Sequence, residues 1–166
     1  MILKFRLGKF RLTITLAPVI NVIGVNSLLP DGKHIPMWDF DDVPLNKVKD
    51  ALLYAQTVYG LPHIYILKTK EPNNYMAYSF KRCSWWYEKR VIAGTKYVCE
   101  NFFKWGVFRR RFTLRVSPKC GRKPKCVMIL KSNIPEDAYI KELNSWVMYE
   151  TLPDEHTPQI FKLGEK

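Results

Sequence analysis

Apolar and polar residues alternate along the first part of the chain. The apolar positions are Leu3, Phe5, Leu7, Phe10, Leu12 and Ile14, and a lysine, arginine or threonine separates them within each run. A period of two is typical of a strand with one buried face. Because Gly8-Lys9 forms a two-residue turn between the runs, the pattern predicts a β-hairpin with a buried apolar face and a basic face. In this hairpin Leu7 pairs with Phe10, Phe5 with Leu12, and Leu3 with Ile14.

The rest of the chain shows strand and helix patterns in irregular alternation. Strands are predicted at the segments PVINVIGV, IPMWDF, HIYILKTK, NNYMAYSF, RFTLRVS and VMILKS. Helical spacing begins at Leu45 and ends at Gly60, and further helices are predicted at SWWYEKRVIAG and EDAYIKELNSWVMYE. The predicted fold class is therefore α+β, with a mixed or antiparallel sheet and flanking helices.

Length and charge limit the domain organisation and the partners. The chain has 166 residues and no repeat or linker, so a single domain over 1–166 is expected. Its net charge of +12 favours a polyanionic partner, and DNA or RNA is favoured over a membrane because no basic amphipathic helix stands out. No segment approaches the roughly 20 apolar residues of a membrane span. We therefore expect a cytoplasmic protein without a membrane partner.

An acidic cluster, DFDD, follows the apolar segment IPMW. Asp39 and Asp41 stand two apart at a strand end, so both side chains are expected on one face. Carboxylates about 7 Å apart along a strand repel each other and require a cation or protons between them. Magnesium and manganese prefer oxygen ligands of this kind. The alternative is a solvated turn in which Asp42 caps the helix after Pro44.

Basic and aromatic residues are the candidate contacts for phosphates and bases. Arg115 lies on a predicted strand with Lys119 just beyond it, and both suit a triphosphate or a nucleic-acid backbone. Two further clusters are predicted to bind nucleic acid: Arg109, Arg110 and Arg111, and Arg122, Lys123 and Lys125 in a flexible loop. The aromatic side chains of SWWY and FFKWG either stack on bases or fill the core. Core packing is favoured for Trp85, Phe102 and Phe103.

Several other kinds of site receive little support. Cys83, Cys99, Cys120 and Cys126 form no CxxC pair, so unpaired thiols are favoured over a zinc site or a disulfide, and zinc is not claimed. No His-x-His occurs, which argues against the rolling-circle initiators that use such a pair. The absence of G-x-x-x-x-G-K, S-x-x-K and G-x-S-x-G argues against an ATPase and a serine hydrolase.

The order of these parts resembles that of the archaeo-eukaryotic primase superfamily, which includes small primase-polymerases of plasmids, viruses and integrative elements. The resemblance covers about residues 35 to 132 and leaves a β-rich extension over 1–30 and a C-terminal helix and tail over 135–166. Asp39 and Asp41 match the family's first motif, an apolar strand that ends in D-x-D, and Arg115 matches its downstream arginine strand. Met76 stands where the second motif has a nucleotide-contacting histidine. Cys99 or Glu100 stands where the third has an aspartate.

The resemblance implies a replication protein with a magnesium- or manganese-dependent nucleotidyltransferase site. Asp39 and Asp41 would be the metal ligands, Glu100 a further catalytic carboxylate, and Arg115 and Lys119 the contacts of a nucleoside triphosphate. Because two of the three motifs are altered, the activity itself stays open. A non-catalytic nucleic-acid-binding accessory protein and a basic structural or interaction protein are the alternatives.

Overall fold

The computed structural model describes residues 2–16, 19–143 and 146–151. Within these ranges the elements follow the order β1 (Ile2–Leu7), β2 (Phe10–Thr15), β3 (Ile20–Asn26), β4 (Met37–Phe40), α1 (Leu45–Val58), β5 (Ile64–Lys70), β6 (Asn74–Ser79), α2 (Trp85–Ala93), α3 (Glu100–Arg109), β7 (Thr113–Arg115), β8 (Lys125–Leu130) and β9 (Trp146–Thr151). A short 3₁₀ helix spans Ile140–Glu142. None of the helices in the described ranges is long and apolar enough to cross a membrane.

The strands form three antiparallel sheets. The largest has the order β4-β6-β5-β8, the second has the order β7-β3-β9, and β1 pairs with β2 alone. Helices and antiparallel sheets thus occur together, and the predicted α+β class is confirmed. Strand β3 lies between β7 and β9 in the second sheet.

The core contains buried residues from both larger sheets and from the helices. Trp38 and Phe40 of β4, Leu52 of α1 and Ile92 of α2 belong to one buried cluster. Phe112 lies in the same cluster, and three further rings surround it with centroids 5.1 to 6.1 Å away, those of Trp85, Phe102 and Phe103. Core packing of these three aromatics is therefore confirmed.

The N-terminal hairpin has the predicted pairing but not the predicted burial. Leu7 pairs with Phe10, Phe5 with Leu12, and Leu3 with Ile14. The apolar side chains are 40% to 79% exposed, from Leu3 at the lower end to Phe10 at the upper end. The expectation of a buried apolar face is therefore wrong. The alternation predicts the register of the hairpin correctly. It does not show which part of the protein buries the apolar face, and β1 and β2 join neither larger sheet.

The C-terminal helix predicted at EDAYIKELNSWVMYE is also wrong where the structure describes it. Ile140–Glu142 forms only a 3₁₀ turn, and Trp146–Thr151 is a strand that pairs along β3. Tryptophan, valine and tyrosine favour strands, and β9 satisfies the backbone groups along one edge of β3. The remainder of the C-terminal helix and tail predicted over 135–166, residues 144, 145 and 152–166, lies outside the described residues.

Two further features position the site. Helix α3, which the sequence analysis did not predict, begins directly after Cys99 and ends before Arg110 in the left-handed conformation. The basic segment 116–124 connects β7 of the second sheet with β8 of the first, so it passes from one sheet to the other.

Candidate metal and phosphate site

Two aspartates and a cysteine converge where β4 ends. Asp39 is the third residue of β4, and Asp41 follows the strand. The backbone N–H of Cys99 donates to the Asp39 carbonyl oxygen at 2.8 Å, which fixes the start of α3 against the strand. As a result, one side-chain donor atom each from Asp39, Asp41 and Cys99 lies within 4.8 Å of the other two. The expectation that both aspartates share one face is consistent with this convergence.

Met76 lies beside this acidic group. It is the cross-strand partner of Asp39 on β6, and side chains of directly paired residues lie on the same face of a sheet. The Tyr78 hydroxyl donates to its sulfur at 3.6 Å, and the side chain is buried. The position compared with the motif histidine therefore adjoins Asp39 in space, but its thioether cannot transfer a proton or donate to a phosphate.

The surroundings of the acidic group disfavour negative charge. Desolvation and, to a smaller extent, the neighbouring Asp41 carboxylate raise the pKa of Asp39 to about 8, although the Arg115 guanidinium acts in the opposite direction. Desolvation, together with a hydrogen bond with Asp41, raises the pKa of the Cys99 thiol to about 12. At neutral pH Asp39 and Cys99 are therefore protonated unless a bound cation replaces the protons.

A basic group, formed by Arg115, Lys119 and Arg122, lies beside the acidic group of Asp39 and Asp41. Arg115 of β7 is half-buried, and its Nη1 donates to the carbonyl oxygens of Ser117 and of Arg122, the latter at 3.2 Å. Lys119 and Arg122 exchange two backbone hydrogen bonds of 3.0 Å across Cys120-Gly121. The turn residues have φ of 49° and 75°, the positive values of a type I′ turn. The loop that the sequence predicted as flexible is thus held by its turn and by Arg115.

A cleft of about 260 Å³ joins the two groups. Its charged lining consists of two carboxylates and four cationic side chains: Asp39, Asp41, Lys70, Arg115, Lys119 and Arg122. Met76 and Thr113 also line it, so residues of both larger sheets contribute. A cleft with more positive than negative charge suits a ligand that carries several negative charges.

The other predicted site residues lie outside this cleft. Glu100 is exposed on the first turn of α3 and forms an ion pair of 2.6 Å with Lys104, so the structure does not bring it to Asp39 and Asp41. Lys123 and Lys125 are exposed on the loop and at the start of β8. The cluster of Arg109, Arg110 and Arg111 lies at and beyond the end of α3. Capping of α1 by Asp42 is wrong, because Pro44 is the N-cap residue and no side-chain hydrogen bond caps it.

Lys70 and Asn74 are cleft residues that the sequence analysis missed. Both lie beside the turn between β5 and β6. The alternation of β6 gave a usable signal for Asn74, since it stands two positions before Met76 and side chains two apart share a face. No comparable signal exists for Lys70, whose position follows from a register shift between Lys68 and Lys70.

The donor set fits a divalent cation of moderate hardness. Two carboxylates suit magnesium or manganese, whereas a sulfur ligand is a poor partner for magnesium. A cation between Asp39 and Asp41 would replace the proton that the raised pKa of Asp39 retains. Manganese therefore fits the three donors better than magnesium does.

Comparison with protein-family models, curated proteins and solved structures gives no significant match to the chain. The function has to be inferred from the residues of the cleft and from the charged surface around it.

Proposed function

We propose that this protein binds nucleic acid and that its cleft holds the phosphates of a nucleotide together with manganese or magnesium. The observation that carries the proposal is the shared lining, in which Asp39 and Asp41 lie across one small cleft from Arg115, Lys119 and Arg122. Binding of a nucleoside triphosphate with its cation requires both kinds of group at once: carboxylates for the cation and arginine or lysine for the phosphates.

Each group has a distinct part in such a site. Asp39 and Asp41 hold the cation, which would stabilise phosphoryl charge and lower the pKa of an attacking hydroxyl group. Lys119 and Arg122 offer cationic contacts to the phosphates from an ordered turn, so little backbone entropy is lost on binding. Arg115 keeps the turn in place and also lowers the pKa of Asp39, which favours the charged, metal-binding carboxylate.

The resemblance to the archaeo-eukaryotic primase superfamily supports nucleotidyl transfer as the reaction of this site. The D-x-D pair ends a strand, Arg115 lies on a later strand, and the position of the motif histidine adjoins the first aspartate. A small replication enzyme encoded by a mobile element would combine such a site with a basic exterior.

A non-catalytic nucleic-acid-binding protein is the second candidate, and the pairing of Met76 with Asp39 favours it. A methionine at this position removes one polar contact to the nucleotide, and Cys99 replaces an acidic ligand with a thiol whose pKa is about 12. Loss of one preorganised transition-state contact lowers a rate by about 10²–10³-fold. We therefore expect weak or undetectable synthesis by this protein.

Two measurements test the proposal. Calorimetric titration of the protein with a nucleoside triphosphate and manganese should show binding that Asp41→Asn abolishes. Asp42→Asn is the matched control, because this exposed neighbour lies outside the cleft lining and its positive φ of 56° suits asparagine. Equal binding by both variants, or none by the unchanged protein, would refute the nucleotide site.

Primer extension and de novo priming with manganese separate the two candidates. Robust synthesis that Asp41→Asn abolishes would establish the enzyme and exclude the non-catalytic protein. If the parent is inert, a Met76→His, Cys99→Asp double variant that gains activity would show that these two residues had disabled a working scaffold. An inert parent and an inert double variant, both binding nucleic acid, would support the second candidate.

A further inference from the structure

Helices α2 and α3 present large aromatic side chains to solvent. Trp86 is 75% exposed, Trp105 is 53% exposed and Phe108 is 79% exposed. The neighbouring Trp85 and Phe103 pack against Phe112. The same two helices thus use some of their aromatics for the core and leave others on the surface, where burial in this chain does not account for them.

Cationic side chains accompany the exposed rings. Lys89 Nζ lies 4.2 Å from the centroid of the Trp86 ring, and the guanidinium carbon of Arg109 lies 5.2 Å from that of Trp105. Residues 84–111 contain seven lysines and arginines and only two acids. Of the acids, Glu88 is buried beside His34 and Glu100 forms an ion pair with Lys104. This surface is therefore positive as well as aromatic.

Two depressions lie on this aromatic surface, and one of them shares a residue with the cleft. A groove of about 770 Å³ runs between Trp86 and Lys89 of α2 and Val107 of α3. A smaller hollow is lined by Trp105, Arg109, Arg111 and Thr113. Thr113 also lines the cleft that contains Asp39 and Arg115. The hollow and the cleft thus meet at Thr113.

We infer that this α2–α3 surface binds single-stranded nucleic acid by base stacking and leads the strand towards the cleft. Unpaired bases expose both faces to rings such as Trp86 and Trp105, whereas stacked duplex bases do not. Lysines and arginines between the rings match the spaced phosphates of such a strand. A second copy of this chain is a poor occupant, because its own net charge of +12 would oppose the contact.

The inference rests on the nucleic-acid-binding part of the proposed function but not on the cation or nucleotide site. It concerns different residues, and it predicts a preference for single strands that phosphate contacts alone do not give.

Fluorescence anisotropy with a labelled oligo-dT strand and a labelled hairpin duplex tests it in the full chain. Trp86→Ala and Trp105→Ala should each weaken binding of the single strand about 5- to 100-fold, since one stacked base is lost. The slope of log affinity against log salt should stay unchanged, because no ionic contact is removed. Trp86→Phe and Trp105→Phe should retain most of the affinity.

Tyr54→Ala is the matched control, because Tyr54 is a 60% exposed aromatic on α1 that lines neither the groove nor the hollow. Arg109→Ala should instead reduce the salt slope by about one unit. If both tryptophan variants bind the single strand as the parent does, the stacking surface is refuted while nucleic-acid binding stands. If the parent binds neither the strand nor the duplex at low salt, the nucleic-acid part of the proposed function fails as well.

Discussion

Asp39 belongs to a motif that is visible in the sequence, and it is also a carboxyl group whose ionisation the fold disfavours. The sequence marks it as the first acid of a D-x-D pair, but its protonation depends on groups far along the chain. Burial and Asp41 raise its pKa to about 8, and Arg115 opposes them. A carboxylate in such a position destabilises the fold when it ionises, and strongly perturbed pKa values of this kind cluster at functional sites.

The pH dependence of stability follows from that raised pKa. Asp39 takes up a proton in the folded state below about pH 8 but only below about pH 4 when unfolded, so its contribution to the free energy of unfolding falls as pH rises between these values. We expect Asp39→Asn to be nearly neutral at pH 4 and stabilising at pH 9. After discounting for partial exposure, the gain is on the order of 1–3 kcal/mol.

Urea denaturation of both proteins in a chelating buffer at pH 4, 6 and 9 measures this gain. Asp42→Asn removes an exposed acid from the same segment and should show no gain that grows with pH. A stability loss in Asp39→Asn at pH 9 would contradict the repulsion between the two aspartates. Addition of manganese should reverse the order, because only the parent retains both carboxylate ligands.

At the scale of elements, the sequence predicted those helices and hairpins whose formation depends on residues close together in the chain. The β1–β2 register, helices α1 and α2, and the β5–β6 hairpin follow from periodicity and turn residues within short segments. Strand β9 could not be predicted in this way, because its partner β3 lies more than a hundred residues earlier. The exposed face of the hairpin was missed for a related reason: alternation identifies an apolar face but not what covers it.

Helix α3 depends on one close contact with the core. A Cβ atom at Gly106 would lie 2.2 Å from two ring carbons of Phe112, far inside van der Waals contact. Alanine ordinarily stabilises a helix relative to glycine by roughly 0.5–1 kcal/mol. Here we expect the opposite, a loss of about 1–3 kcal/mol in the free energy of unfolding, because the helix must move away from a buried ring.

Chemical denaturation of Gly106→Ala checks this expectation. Asn101→Ala, an exposed change on the same helix, should be neutral or slightly stabilising. Combining Gly106→Ala with Phe112→Leu should cost less than the sum of the two single changes, because the smaller side chain relieves the overlap. A Gly106→Ala protein as stable as its parent would show that α3 does not rest on Phe112.

At the scale of the whole molecule, the candidate site could be predicted only in part. Asp39, Asp41, Arg115 and Lys119 are visible as residue types at a strand end, on a strand and in a loop. Their assembly into one cleft depends on how two separate sheets lie together, which no short segment encodes. Lys70 enters the cleft through a register shift between β5 and β6, and Glu100 stays outside it because its side chain pairs with Lys104.

The basic exterior predicts a salt dependence for the proposed nucleic-acid binding. Neutralising Z phosphates gives a slope of about −0.9Z in log affinity against log salt for duplex DNA. Replacing Arg122, Lys123 and Lys125 with alanine should reduce that slope by up to about 2.7 if each contacts one phosphate. Anisotropy titrations from 50 to about 300 mM salt would measure it. An unchanged slope would exclude this loop as a contact.

Lys47→Ala with Lys49→Ala is the control for general charge loss, because both lysines are exposed on α1 and outside the cleft. We expect this double variant to bind with nearly the parental slope. A slope reduced as much per charge as in the loop variant would indicate binding to the whole positive surface rather than to a defined path.

The segment 116–124 joins the two larger sheets and also carries Lys119 and Arg122 into the cleft. The chain itself already links the two sheets covalently through this segment. A ligand that contacts Lys119, Arg122 and the two aspartates Asp39 and Asp41 at once would add a non-covalent link between the same sheets. Separation of the sheets would then require the ligand to leave. Amide hydrogen exchange in β7 and β8 should therefore slow together when the cleft is filled, and exchange in the β1–β2 hairpin, which belongs to neither sheet, should not change.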